Sequence, residues 1–375
     1  MIADSVSIEL PIRRPIRVCF VIDGLARAGT ESQLLLTLEQ LDRSIIEPYL
    51  CLLKGENAES YELMPNNCRV LRLGIHRLAS GTAIRQAWQF WRFLRKNKIE
   101  VVQTYFTDST RFAAPIAKAA RVKAVFGSRR NIGHWMTPTD ARIARLYNRF
   151  FIDKIIANSE AARQSAIVQE GIAPERVVVV PNRIDLERFK HVPLWQPKPT
   201  GTLRKVGMVG NLRPVKGPDL FIRAAQIVLT DHADIEFEIA GDGDAQPYRQ
   251  LIDELGIADN VRLLGPVTDV PSFLATLDLA VLPSRAEGLS NALMEYMAAG
   301  RPIVATDVGG NGELLGELAE KCCAAVVDEK CLAAHIRQIL SDDSLAATVA
   351  ASARRKVASS TLGCGFSDLC MSSVS

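Results

Sequence analysis

Two glutamates, Glu287 and Glu295, stand in the stretch Pro283-Ser284-Arg285-Ala286-Glu287-Gly288-Leu289-Ser290-Asn291-Ala292-Leu293-Met294-Glu295. The pattern predicts a strand end, a Glu-Gly turn and a helix from about Ser290 to Ala299, stopped by Gly300 and Pro302. Glu287 then lies on a loop, and Glu295 about one turn into the helix, ~7 Å along its axis. Carboxylates so placed can accept hydrogen bonds from separate hydroxyl-rich parts of one ligand, such as a sugar and a ribose. A solvated helix face accounts for either glutamate alone but not for both.

Two glycine-bounded turns could handle phosphate. In Val209-Gly210-Asn211-Leu212-Arg213-Pro214-Val215-Lys216-Gly217, Arg213 offers a planar fork of donors and Lys216 a mobile point charge, both suited to a diphosphate. The same two residues also read as solvated loop cations. In Asp23-Gly24-Leu25-Ala26-Arg27-Ala28-Gly29-Thr30-Glu31, Gly24 and Gly29 allow close approach of backbone to a ligand. Thr30 is expected to cap the following helix, with Gln33 completing a capping box. A glycine turn entering a helix N-terminus presents free N–H groups to an anion, although an ordinary strand–helix turn has this form too. It is neither GxGxxG nor a Walker A loop.

These turns need strands to carry them. Buried strands are predicted at Ile16–Asp23, Pro48–Leu53, Val70–Leu73, Glu100–Tyr105, Ala124–Ser128, Lys154–Asn158 and Val177–Pro181. A second set follows at Lys205–Gly210, Ile235–Ala240, Val261–Leu264, Leu279–Pro283 and Ile303–Thr306. Their dense Val/Ile content without alternation suits parallel sheets covered on both faces. Helical patterns lie between them, as at Leu220, Ala224, Ile227 and Val228 behind Pro218. The expected fold is therefore α/β, with two doubly wound Rossmann-like domains facing a cleft. Residues 1–195 form the first domain, 196–203 the linker, 204–358 the second domain and 359–375 an irregular tail. The prolines and glycine of Val192–Thr202 mark the break.

At 375 residues with 48% hydrophobic and 23% charged, the chain has ordinary globular composition and the length of two domains. It lacks an 18-residue apolar run, and its start, bearing Asp4 and Glu9, is not a secretory signal. Eight cysteines form no CxxC pair, so a reducing cytoplasm is expected and a disulfide scaffold or structural zinc site is not. The net charge of +3 hides an asymmetry: residues 1–200 carry +11 and residues 201–375 carry −8. The first half is thus suited to an anionic partner, such as a phospholipid surface, or simply to a second domain of opposite sign. Nucleic acid is not expected, because no basic run is interleaved with base-stacking aromatics.

Taken together, the Glu-x7-Glu pair, the Gly-Asn-Leu-Arg-Pro-Val-Lys-Gly loop and the Gly-x4-Gly-Thr-Glu turn resemble those of retaining glycosyltransferases of family four, with the GT-B architecture. Supporting matches are Ala157-Asn158-Ser159-Glu160, Pro181 to Phe189, Ala240-Gly241-Asp242-Gly243 and Asp307-Val308-Gly309-Gly310, in order over about residues 16–358. The resemblance implies transfer of a sugar from a nucleotide-diphosphate sugar to an acceptor hydroxyl with retained configuration. It further implies that Glu295 holds the donor ribose, that Glu287 with the backbone of Gly288, Leu289 and Ser290 holds the donor sugar, and that Arg213 and Lys216 hold the diphosphate. The Gly29 turn would close over that phosphate from the other domain. No dedicated metal site or cofactor is implied, the nucleotide sugar being a co-substrate.

Some positions depart from the family pattern. The usual phosphate-loop arginine falls at Asn211, so Arg213 must supply that charge. His134 is the candidate for a histidine at the sugar, and Arg129, Arg130 and Trp135 could line an acceptor pocket. Leu318–Ala325 stands where a glycine turn is usual. Thr361–Ser375 reads as irregular where the family has a returning helix, as a truncated or frameshifted ending would. The stretch Ala87–Lys96 (AWQFWRFLRK) offers apolar contacts beside basic tips for a membrane, although core aromatics packing a helix onto the sheet is the favoured reading. The leading expectation is a cytoplasmic enzyme of surface polysaccharide or glycolipid synthesis, peripheral on the inner membrane face, with a lipid-linked or saccharide acceptor. A nucleotide-sugar epimerase of the same fold and a catalytically silent nucleotide-sugar-binding protein are the alternatives. A dehydrogenase lacks its fingerprint glycines.

Overall fold

A computed structural model describes residues 14–54, 58–75, 81–133, 136–199, 201–324, 328–360 and 365–374. The first sheet comprises β1 (Ile16–Ile22), β2 (Ile46–Leu52), β3 (Arg69–Arg72), β4 (Val101–Thr104), β5 (Ala124–Arg129), β6 (Lys154–Ala157) and β7 (Val177–Val179). All neighbours pair in parallel, in the order β3-β2-β1-β4-β5-β6-β7. Alternate side chains of β1 enter different cores: Val18, Phe20 and Ile22 on one face, Cys19 and Val21 on the other. A strand buried on both faces must be apolar throughout, which is why it reads as a run rather than as an alternation.

The second sheet comprises β8 (Arg204–Val209), β9 (Ile235–Ala240), β10 (Val261–Gly265), β11 (Leu279–Leu282), β12 (Ile303–Thr306) and β13 (Cys323–Ala324). It too is wholly parallel, ordered β10-β9-β8-β11-β12-β13. The strand order reverses beside β1 in one sheet and beside β8 in the other, the places where open sheets bind ligands beyond their carboxyl ends. The turns 23–31 and 210–217 follow β1 and β8 directly.

Three sequence expectations change. Over Gly365–Val374 the expected irregular tail is a helix, whose Phe366, Leu369 and Cys370 bury against β1 and its neighbours in the first domain. The Phe20 and Phe366 rings lie 5.6 Å apart. Serine-rich composition hid this spacing, and packing rather than intrinsic propensity holds the helix. Phe189 and Val192, placed in the first domain by sequence, pack in the core of the second sheet. Residues 193–199 contain neither helix nor strand. Finally, the expected disrupted turn at 318–325 contributes β13, a two-residue edge strand beside β12.

Candidate active site

β11 ends at Leu282, and Pro283 opens the loop that follows it. Ser290 caps the helix Asn291–Ala298, its hydroxyl accepting from the Leu293 N–H at 3.3 Å. Glu287 is buried on this loop, its Oε1 accepting from Lys216 Nζ and from Ser284 Oγ, each at 2.7 Å. Arg285 forms a bidentate pair with Asp219 at 2.8 and 2.7 Å and also donates to the Pro214 carbonyl at 2.8 Å. That arginine pins the β8 turn to the glutamate loop, so the loop's other cation acts as a brace. Arg213 is exposed on the same turn and has no ion-pair partner among the described residues.

Glu295 stands on the second turn of the same helix, within electrostatic reach of Arg188. Burial pushes its carboxyl up to about 7, opposed by the charge of Arg188. A carboxyl desolvated this far, without a hydrogen-bond partner among the described residues, suits a ligand that brings its own hydroxyl donors.

The first domain closes on this loop from the other side. Helix Gly29–Gln40 begins at Gly29 itself with Ala28 as N-cap and no side-chain cap bond, so Thr30 does not cap it. Gln33 does not complete a box either, because its amide is spent on Arg183 within the first domain and on Asn291 across the domain interface. Its Nε2 donates to the Arg183 carbonyl at 2.7 Å and its Oε1 accepts from the Arg183 N–H at 2.8 Å. Asn291 sits at the centre of the junction. Its Oδ1 accepts from Asn182 Nδ2 at 2.7 Å and from Gln33 Nε2 at 3.2 Å, while its Nδ2 donates to the Gly29 carbonyl at 3.0 Å. Arg130 donates to Asn182 Oδ1 at 2.6 Å, fixing that amide's orientation.

Gly288 is held just as closely. Its carbonyl accepts from Ser159 Oγ at 2.8 Å and from the Gly310 N–H at 2.9 Å, and a Cβ on it would strike the Arg130 carbonyl. Gly309 adopts φ 57°, with its α-carbon facing the Glu287 carbonyl, so neither position accommodates a side chain. Glu313 adds a further tie, its carboxylate accepting from the Glu160 and Ala161 N–H groups at 2.9 and 2.7 Å. A carboxylate at the N-terminus of the helix Glu160–Glu170 is favourably placed in its dipole.

The structure thus brings Gly29, Lys216, Glu287, Gly288, Leu289 and Ser290 to one junction, with Glu295 behind and Arg213 at the rim. His134 and Trp135 lie outside the described residues. Asn291, Asn182 and Ser159 stand in the quoted motifs and Gln33 was expected to complete a cap, but their roles as partners at the junction were not foreseen. Their bonds span more than a hundred residues, and the only signal was polar side chains in or beside the quoted motifs.

A cavity of about 230 Å³ opens in the first domain beside this junction, lined by Thr110, Arg111, Arg130, Tyr147 and Gln169 among others. At its base Arg129 forms a bidentate pair with Glu170 at 2.5 Å, and Asn148 Nδ2 donates to the same carboxylate at 2.6 Å. Burial lowers the Arg130 guanidinium pKa, against the influence of Tyr105 and Glu31.

Comparison with known proteins agrees with this architecture. Residues 17–183 match the family model described as a glycosyl transferase 4-like domain, and residues 204–342 match glycosyl transferases group 1. The HepE protein of Anabaena, solved with UDP and glucose, superposes with a TM-score of 0.79 at 20% identity, covering 95% of this chain and 98% of that one. The lipopolysaccharide outer core galactosyltransferase WaaB gives 0.69 at 15% identity, covering 91% and 95%. A D-inositol 3-phosphate glycosyltransferase of Thermobispora bispora is 28% identical over 227 residues, 55% of this chain and 52% of its own length. The GPI3 subunit of a phosphatidylinositol N-acetylglucosaminyltransferase of Saccharomyces cerevisiae is 34% identical over 176 residues, 44% of this chain and 38% of its own length. The chain therefore spans about half or less of the curated relatives it matches. It belongs to the group 1, family-four-type glycosyltransferases, with two Rossmann-like domains in the GT-B arrangement.

Proposed function

We propose that this chain transfers a sugar, with retention of configuration, from a nucleotide-diphosphate sugar to a hydroxyl of a lipid-linked or saccharide acceptor. The observation that carries the reading is the junction itself. Lys216 and Glu287 are locked together on one side, the half-buried Glu295 lies behind them, and the Gly29 turn faces them from the other domain. In this reading Glu295 accepts from the ribose hydroxyls, and Glu287 with the Gly288–Ser290 backbone orients the donor sugar. Arg213, Lys216 and the N–H groups near Gly29 stabilise the diphosphate. The bond from the anomeric carbon to the diphosphate oxygen breaks, and the diphosphate leaves with the electron pair. The acceptor oxygen then bonds to that carbon and passes its hydroxyl proton to the departing diphosphate. Charge develops on the leaving diphosphate, so fixed cations and dipoles aimed there lower the barrier without a dedicated metal ion. His134 is assigned to the donor sugar and the first-domain cavity to the acceptor.

The names of two relatives contain inositol phosphate and phosphatidylinositol, which supports an acceptor that bears phosphate or a lipid. No helix among the described residues is long and apolar enough to cross a membrane. We place the enzyme in the cytoplasm, peripheral on the inner membrane face, in polysaccharide or glycolipid assembly.

The test is release of nucleoside diphosphate from a panel of nucleotide sugars, with and without membrane lipid extract, beside Glu295→Ala. Lipid-dependent release from one donor, lost in the variant, is expected. Donor binding without release under every condition would overturn the transferase reading in favour of a silent binding protein. A changed sugar with no lasting glycoside would do so in favour of an epimerase.

A further inference from the structure

We propose that the outward faces of the helices Gly81–Lys96 and Pro138–Phe151 form one docking surface for an anionic phospholipid bilayer. Both helices lie on the same side of the first sheet, and the helix Thr107–Ala119 packs between them. In the first, Phe90 and Leu94 fill the core, which leaves Ile84 76% and Trp88 58% exposed with Trp91 beside them. In the second, Leu146 and Phe150 are 56% and 59% exposed, in line with Ile143. The exposed apolar residues recur at 84, 88 and 91 and at 143, 146 and 150, so each helix carries a stripe rather than scattered residues.

Charge selects the occupant. The first helix bears Arg85, Arg92, Arg95 and Lys96 and no acidic residue. The second bears Arg142, Arg145 and Arg149, and its one acid, Asp140, is engaged by Thr137 as a capping box. The Arg92 guanidinium lies 5.4 Å from the Trp88 ring and that of Arg149 lies 5.7 Å from the Phe150 ring. Each pair sets a cation at the level of an aromatic ring. A bilayer with anionic headgroups above an apolar interior matches that layering, the rings entering and the cations staying at the phosphates. Pro138–Phe151 supplies Ala144, Tyr147 and Asn148 to the first-domain cavity, and Ile143, at the edge of the stripe, lines it too. Docking would therefore hold that cavity at headgroup height. The inference rests on the reading that the acceptor belongs to a membrane, but its test uses neither donor nor acceptor, so the two can fail separately.

The full chain is sedimented with vesicles of phosphatidylcholine alone or mixed with phosphatidylglycerol. We expect binding to the mixed vesicles that weakens in high salt. Arg142→Gln with Arg149→Gln should lower the partition coefficient roughly 20-fold. Trp88→Gln with Trp91→Gln, and Leu146→Gln with Phe150→Gln, should each lower it on the order of tenfold with the thermal midpoint unchanged. Failure of the wild-type chain to bind mixed vesicles would overturn the proposal. So would variants that bind as well as wild type. Concentration-dependent self-association, abolished by the same substitutions and without vesicle binding, would make the surface a protein interface instead.

Discussion

Glu295 is the residue whose chemistry is most altered by its surroundings. Burial raises its carboxyl to about 7 from an ordinary value near 4.5. The folded state therefore binds a proton that the unfolded state has lost, so stability is greatest below about pH 4.5 on this account and declines as pH rises towards 7. The loss amounts to about 3 kcal/mol. Glu295→Gln removes the dependence: its urea midpoint should vary less than wild type between pH 5 and 7 and exceed it at pH 8. Nucleotide-sugar binding, measured by calorimetry, should fall in the same variant. Lys216 presents the opposite case. Lys216→Ala leaves the buried Glu287 carboxylate with Ser284 alone, which should cost about 2 kcal/mol of stability. Nucleoside diphosphate release, assayed at saturating donor, should drop 10²–10³-fold, roughly what one transition-state donor contributes. Arg213→Ala, on an exposed cation without such a partner, should slow release while leaving the urea midpoint unchanged.

At the scale of elements, the strands were legible because each is short, apolar and bounded by turn residues. The carboxyl-end turns were legible because glycine and charge cluster there. β13 escaped because a two-residue strand, one residue of it from the Cys322–Cys323 pair, carries no pattern. The role of Gln33 escaped for a different reason. Its spacing from Thr30 satisfied a local rule, while its actual partners, Arg183 and Asn291, are 150 and 258 residues away. No window along the chain contains that information. Gly365–Val374 was misread on composition, although Phe366, Leu369 and Cys370 fall at helical spacing. Phe366→Ala should destabilise the first domain by about 3–4 kcal/mol, seen as a lower unfolding midpoint by near-ultraviolet circular dichroism. The candidate donor residues were legible as types in an order, but the amides that hold them were not.

Across the whole molecule, the two domains meet through polar ties: Gln33 to Asn291, Asn182 to Asn291, Ser159 to Gly288, and Glu313 to the helix at 160. Such ties exchange readily for water, so rigid-body opening is the expected motion. Asn182→Ala and Asn291→Ala share one bond and should be non-additive in a double-mutant cycle read on nucleotide binding, with a coupling of about 1 kcal/mol. Either should also enlarge the radius of gyration of the unliganded protein in small-angle scattering. An unchanged radius in both would show that the closed arrangement does not depend on these amides.

The helix that packs Phe366 onto Phe20 also sets an order of events during synthesis. Residues 365–374 leave the ribosome only after every strand of the second sheet has been made. Until then the helix Gly29–Gln40 covers only part of the Phe20 face, and the patch that Phe366, Leu369 and Cys370 fill stays open beside a fully emerged neighbour. The first domain to be translated is thus the last to be completed, and during that interval this open patch is a site for a chaperone to hold.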